Sequence, residues 1–189
     1  MPRTLADLTW PARTQRLTLR PATADDGGPT WKFRSKAGVS DWIPAEANDE
    51  AAYLERFADP DRLDKILVIE LDGVVIGDIM VRVEDGWAQA EVADQARGVQ
   101  AELGWSIDPE YGGRGYATEA VVEVVRICFE ELGLRRLTAN TFADNEPSWR
   151  LMERLGMRRE LHAVRESLHR SGEWLDGYGY ALLADEWKP

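Results

Sequence analysis

Two runs rich in β-branched residues, Lys65–Leu71 and Val74–Val83, are separated only by Asp72-Gly73. Apolar strands broken by that dipeptide predict a hairpin with a tight turn. Upstream, Leu17–Arg20 reads as a short strand that Pro21 stops, with the first 16 residues as an arm leading to it. Asp25, Asp26, Gly27, Gly28 and Pro29 read as a loop, followed by a partly helical segment through Trp31, Phe33, Val39, Trp42 and Ile43. Asn48 or Asp49 can cap a helix through Ala51, Tyr53, Leu54 and Phe57 that ends before Pro60. From Glu84 to Gln100 the chain is polar and Ala-rich with no apolar face, which predicts a partly helical insertion between two sheet strands.

Leu103–Ile107 is the next strand, closed by Asp108-Pro109. Ala117, Val121, Val124, Cys128 and Leu132 then fall at helical spacing until Gly133. Arg136–Phe142 reads as a strand. Asp144 or Asn145 caps a helix carrying Trp149, Met152 and Leu155, with Pro147 in its first turn. Arg158–Leu168 and Trp174–Leu183 are terminal strands around Ser171-Gly172. The order predicts a mixed α/β domain with one central sheet.

Composition narrows the function. The 189 residues fit one domain, and 44% hydrophobic with 30% charged residues is ordinary for a globular chain. A net charge of −11 argues against nucleic acid as a partner. It suits a cationic acceptor such as an amine, and equally a charge that serves solubility. The single cysteine, Cys128, excludes an intrachain disulfide, fits a reducing compartment and lies in an apolar helical pattern, as a buried thiol would. No stretch approaches the ~20 apolar residues of a membrane span, and Met1–Trp10 lacks the apolar centre of a secretory signal. A cytoplasmic protein with no membrane partner is expected. His162 and His169 sit at odd spacing with no metal-like partner, so no metal site is expected. Of the eight tryptophans, Trp42, Trp87 and Trp174 are candidate walls of an acceptor pocket, with core packing the plainer alternative.

The chemistry concentrates at Gly112-Gly113-Arg114-Gly115-Tyr116-Ala117-Thr118, between a strand and a helix. Glycines opening a helix let several N–H groups converge where the helix dipole adds positive potential, a setting that holds phosphate. A tight turn alone would also use these glycines. No Lys-Ser/Thr pair follows, as an NTPase loop needs, and no early βαβ unit with three spaced glycines is present, as a dinucleotide fold needs.

Two blocks carry a more specific likeness. Glu102-Leu103-Gly104-Trp105-Ser106-Ile107-Asp108-Pro109-Glu110-Tyr111 runs into Gly113-Arg114-Gly115-Tyr116-Ala117-Thr118-Glu119-Ala120, and Asn145-Glu146-Pro147-Ser148 runs on to Met152-Glu153-Arg154-Leu155-Gly156-Met157. In that order and spacing the chain resembles the GCN5-related N-acetyltransferase (GNAT) superfamily, in its ribosomal-protein N-terminal acetyltransferase branch, over roughly Leu17–Trp187. The resemblance implies an α+β fold: one domain over 17–187 beyond an arm at 1–16, and a mixed, mostly antiparallel sheet of six to seven strands flanked by helices. It also implies a splayed strand pair at the CoA site. The family's loop reads Gln or Arg, two residues, Gly, one residue, Gly or Ala. Gly115 and Ala117 fill the last two positions, and Gly112 replaces the Gln or Arg.

By the same resemblance, acetyl-CoA is the acyl donor. The N–H groups of Gly113, Arg114, Gly115, Tyr116 and Ala117 hold its pyrophosphate, Gly112 and Thr118 join them as cofactor-binding residues, and the backbone of Trp105 to Ile107 binds the pantetheine arm. Glu102 is the first choice of base, acting through water, the alternative being an exposed or sheet-paired carboxylate. Ser148 aligns with a serine directed at the CoA sulfur, or serves only the first helical turn. Asn145 contacts the cofactor or only caps. Tyr178 and Tyr180 are further candidates for the acid that protonates the thiolate. The expected reaction is direct attack of a neutral amine, from a small molecule or a protein N-terminus, on acetyl-CoA. The alternatives are a non-catalytic CoA-binding or sensory module, and another donor such as succinyl-CoA. Dimers are common in the family, which leaves a homodimer open.

Overall fold

The computed structural model describes residues 3–45 and 47–188; Met1 and Pro2 of the expected arm lie outside them. Strands β1 (Ala12–Arg13), β2 (Thr18–Pro21), β3 (Ile66–Leu71), β4 (Val74–Glu84), β5 (Gln100–Ile107), β6 (Arg136–Phe142), β7 (Arg158–Leu168) and β8 (Trp174–Leu183) form one eight-stranded sheet in the order β1-β2-β3-β4-β5-β6-β8-β7. Pairing is antiparallel at β1–β2, β2–β3, β3–β4, β6–β8 and β7–β8, and parallel at β5–β6. The strand beyond the six or seven expected is β1, two residues within the segment read as an arm. Chain contacts group the molecule into two compact units.

The first unit comprises Thr4–Val81 and Gly104–Val124. Its hairpin turns at Asp72 and Gly73, both left-handed (φ 51° and 80°), as a two-residue turn between twisted strands demands. Leu19, Leu67, Ile69, Ile76 and Ile79 are fully buried along β2, β3 and β4. Helix α1 (Gly27–Arg34) begins inside the stretch read as a loop. Gly-Gly-Pro is tolerable there because first-turn N–H groups have no intrahelical partner to lose. Gly27 has a packing reason as well: a Cβ on it would stand 2.8 Å from Leu54 of α2 (Glu50–Phe57). Asp49 caps α2 by accepting from Ala52 N, and Asp59 caps the short α3 (Pro60–Leu63) that follows.

Arg34 grips Asp78 with two charge-assisted bonds of 2.8 and 2.7 Å. Asp78 is 1% exposed, so this pair ties α1 to β4 without water between them.

The second unit comprises Arg82–Leu103 and Val125–Lys188, with Arg3. The segment 85–99 links β4 to β5 outside the strands and carries a 3₁₀ segment at Ala90–Ala96; Glu84 and Gln100, at the bounds of the expected insertion, are strand residues. Trp87 there is 91% exposed and Trp174 57%, so neither is core; Trp42, in the first unit, is half-buried. Helix α4 (Tyr116–Arg126) runs from the first unit into this one, continues as a π turn (Ile127–Glu131), and the left-handed Gly133 (φ 71°) ends the run. Leu137, Ala139, Ala181 and Leu182 of β6 and β8 are buried, as are Leu151 and Met152 of α5 (Glu146–Arg154).

Cys128 is fully buried in the π turn, and burial pushes its thiol up to about 12. A thiol so placed is neither accessible nor ionised. Native protein at mildly alkaline pH is therefore expected to give no reaction with an aromatic disulfide reagent over minutes, and one equivalent after denaturation. A fast native reaction would contradict this placement.

Candidate active site

In the first unit, β5 arrives at the glycine loop pressed against β4. A Cβ on Gly77 would stand 2.6 Å from the Ser106 carbonyl oxygen, so no side chain fits at 77 without moving β5. Ser106 is buried, while Trp105 and Ile107, on the other face of the strand, are half-buried. The Asp108 N–H closes onto Ile76 O at 2.8 Å, and the Asp108 carboxylate accepts from Glu110 N at 3.1 Å, opening a 3₁₀ turn at Pro109–Tyr111. Lys36 Nζ braces that turn, 2.8 Å from Asp108 and 2.7 Å from Glu110.

Gly112 donates to Pro109 O at 3.0 Å, in an extended conformation open to any residue (φ −62°, ψ 157°). A Cβ there would also stand 3.0 Å from that oxygen, so the turn is built tightly around glycine rather than loosened by it. Gly113 and Gly115 are left-handed, at φ 71° and 80°. Gly115 O takes the Glu119 N–H at 3.0 Å, which starts α4. Within the helix, Tyr116, Ala117 and Thr118 lie in the first turn, where N–H groups have no intrahelical acceptor. With the helix dipole they form an anion-binding end. Arg114 is exposed and its guanidinium lies over Tyr111 at 6.0 Å. Tyr116 is covered by Arg16, 4.4 Å from its ring centre.

Arg16 is the residue that sequence reasoning missed. The sequence places it only at the end of an arm, because its partners Arg114, Tyr116 and Glu119 lie about a hundred positions away. A short strand-adjacent arginine offers no local signal of such a role.

In the second unit, β5 pairs with β6 through Gln100–Arg136, Ala101–Leu137 and Glu102–Thr138. The Glu102 side chain is 18% exposed. Arg82 Nη2 contacts its Oε2, while Asn140 Nδ2 donates to Oε1 at 3.1 Å. Arg82 also reaches Glu84 at 2.7 Å. Each Glu102 oxygen thus carries one donor and keeps a second lone-pair direction, enough for a water.

Asn145 precedes α5 but makes no side-chain capping bond; its carbonyl takes the Ser148 N–H at 3.1 Å. Capping, the plainer role for Asn145, is therefore not what its amide does. Ser148 is half-buried in the first turn. Tyr180 donates to Glu153 at 3.0 Å, and burial together with that carboxylate pushes its hydroxyl up to about 12. Tyr178 packs against His162 (5.0 Å), Trp149 (6.4 Å) and the Arg159 guanidinium (4.6 Å). His162 Nε2 lies 2.7 Å from Asp176, and His169 Nδ1 lies 2.9 Å from Ser171. Among the described residues no group of three or more His, Cys, Asp or Glu is placed to hold a metal, and no helix is long and apolar enough to cross a membrane.

A mixed sheet that delivers a strand into a left-handed glycine turn at a helix N-terminus defines an α/β domain of the class in which such a turn can hold a phosphate. Residues 16–158 match the family model described as the acetyltransferase (GNAT) domain, and the chain belongs to that family of acyl-CoA-dependent N-acyltransferases. It is 30% identical over 178 residues to YnaD, an uncharacterized N-acetyltransferase of Bacillus subtilis (strain 168), covering 92% of this chain and 97% of that one. Its relatives include ribosomal-protein acetyltransferases. With the [ribosomal protein uS5]-alanine N-acetyltransferase of Escherichia coli (strain K12) it shares 32% identity over 87 residues, 46% of this chain and 44% of the other. Its fold is similar to that of Mycobacterium smegmatis RimJ in complex with CoA-disulfide, with TM-score 0.71 at 22% identity, covering 90% of this chain and 83% of RimJ.

Proposed function

We propose that this N-acetyltransferase takes acetyl-CoA as donor and acetylates a primary amine of a small molecule or a protein N-terminus. The observation that carries the reading is the loop 112–118, left-handed at Gly113 and Gly115 and opening α4, inside the matched GNAT domain. Support comes from first-turn N–H groups that have no intrahelical acceptor, next to left-handed glycines that put no side chain at 113 or 115, a setting that suits a pyrophosphate. When bound, acetyl-CoA supplies the acetyl thioester. Gly113, Arg114, Gly115, Tyr116, Ala117 and Thr118 hold the diphosphate, chiefly by backbone N–H, and Gly112, whose own N–H is taken by Pro109 O, leads the chain into them. The backbone of Trp105 to Ile107 orients the pantetheine arm as a strand would. Glu102 accepts the proton of the incoming ammonium through a water, Ser148 Oγ–H hydrogen-bonds the departing thiolate and relays to it the proton that the attacking nitrogen gives up as the amide forms, and the unspent Asn145 amide contacts the donor.

The test is thiol release from acetyl-CoA with a panel of amines: free amino acids, polyamines and peptide N-termini. Acceptor-dependent release supports the reading. Absence of release across the panel, repeated with succinyl-CoA, sinks it in favour of a CoA-binding module that does not turn over. The ion pair that occupies Glu102 is the feature that favours that second reading.

A further inference from the structure

Arg16 is held at four points. Its Nε donates to Glu119 Oε2 at 2.6 Å, its backbone N to Glu119 Oε1 at 2.8 Å, and its Nη1 to the Arg114 carbonyl at 3.0 Å. The guanidinium plane also lies over Tyr116. Glu119 is fixed in turn by the Thr14 hydroxyl at 2.5 Å. Burial alone would push the Glu119 carboxyl up, but the Thr14 and Arg16 bonds outweigh it and leave the carboxyl below its ordinary value, so the anchor is ionised. The carboxylate sits in the first turn of α4, where the helix dipole favours negative charge.

The consequence lies in one peptide plane. The Arg114 carbonyl and the Gly115 N–H belong to the same trans peptide and point in opposite directions. Drawing the carbonyl onto Arg16 therefore turns the Gly115 N–H away from the guanidinium. Gly115 is left-handed and, like Arg114 before it, exposed, so little else fixes that orientation.

We propose that Arg16, anchored by Glu119, is a positioning residue for the diphosphate loop: it fixes the direction of the Gly115 N–H before any ligand arrives. The proposal rests on the reading of 112–118 as the CoA loop. Preorganisation of this kind shows in binding rather than in chemistry, because the ordering cost is then not met when the ligand binds.

The experiment is calorimetric titration of the full chain with CoA, together with steady-state kinetics. Arg16→Ala should weaken CoA about tenfold and raise KM for acetyl-CoA to match, with kcat at saturation changed less than about twofold and the amine KM unmoved. Arg16→Lys keeps the charge but not the planar fork, and should recover only a small part of the affinity. Glu119→Gln should act in the same direction, and the double variant should bind no worse than Arg16→Ala, since both break one device. Amide hydrogen exchange over 113–118 should quicken in each variant. CoA affinity unchanged in Arg16→Ala overturns the proposal. Full rescue by lysine also overturns it, assigning the effect to charge alone. Failure of the wild-type chain to bind CoA would overturn the loop reading instead. If Arg16→Ala does not fold, the lysine and Glu119→Gln variants give the same discrimination.

Discussion

Gly115→Val is expected to cut CoA affinity more than about a hundredfold while the chain still folds, because several effects act at one atom. The residue is left-handed at φ 80°, where a β-branched side chain is a genuine outlier. Relief of that strain turns the adjoining peptides, including the N–H groups proposed to hold the diphosphate. The added Cβ would also stand in van der Waals contact with Arg16 Nη2, at 3.5 Å, so the two further methyl groups of valine need room beside the guanidinium proposed to orient this peptide. Roughly 3 kcal/mol of lost binding corresponds to that hundredfold change. Gly133→Val supplies the control. That glycine is equally left-handed, at φ 71°, and nothing stands within 4 Å of its Cβ position. It should lower thermal stability and leave CoA affinity within about twofold. Titration with CoA and melting curves on both variants decide the matter. Near-normal CoA binding by Gly115→Val would remove the loop from the binding site.

Which features were readable in the sequence follows from how far apart their causes lie. Asp72-Gly73 announces its hairpin because the turn and its two left-handed residues are adjacent in the chain. Strands β7 and β8 appear with the expected bounds because their turn, at the left-handed Gly172, is local too. The glycine loop was legible for the same reason, and the family likeness built on it agrees with the match over residues 16–158. What stayed hidden depends on contacts between distant segments. Gly27 looks like loop punctuation until Leu54 is seen against it, and Gly77 looks incidental until the Ser106 carbonyl is placed. Arg16 has its role through Glu119, and Glu102 has its surroundings through Arg82 and Asn140, on two other strands. Alternation puts a residue on a face of a sheet but does not say which cation stands beside it. Asn145 illustrates the converse: it occupies the cap position as expected, yet its side chain does not cap.

Glu102→Gln tests the most consequential of those surroundings. Glutamine keeps the shape and an oxygen acceptor for Asn140 or Arg82, so the local packing has little reason to change. If Glu102 is the base, kcat should fall about a hundredfold, with KM for acetyl-CoA nearly unchanged, because general-base assistance acts on the chemical step. The pH profile separates this from a structural effect. Turnover needs both an ionised base and a neutral amine, so lowering the pH slows the reaction through two limbs. The limb owned by the amine moves when an acceptor of different basicity is used; the limb owned by the enzyme stays where it was. Glu102→Gln should erase the second limb and leave the first. The competing outcome is equally definite. Arg82 and Asn140 already hold this carboxylate between β4 and β6. If its work ends there, the glutamine variant will melt lower, retain kcat within about threefold and show the same pH profile as the unaltered protein, with a single limb that moves with the amine. The proton would then leave the ammonium for solvent, and amine basicity alone would govern the pH dependence.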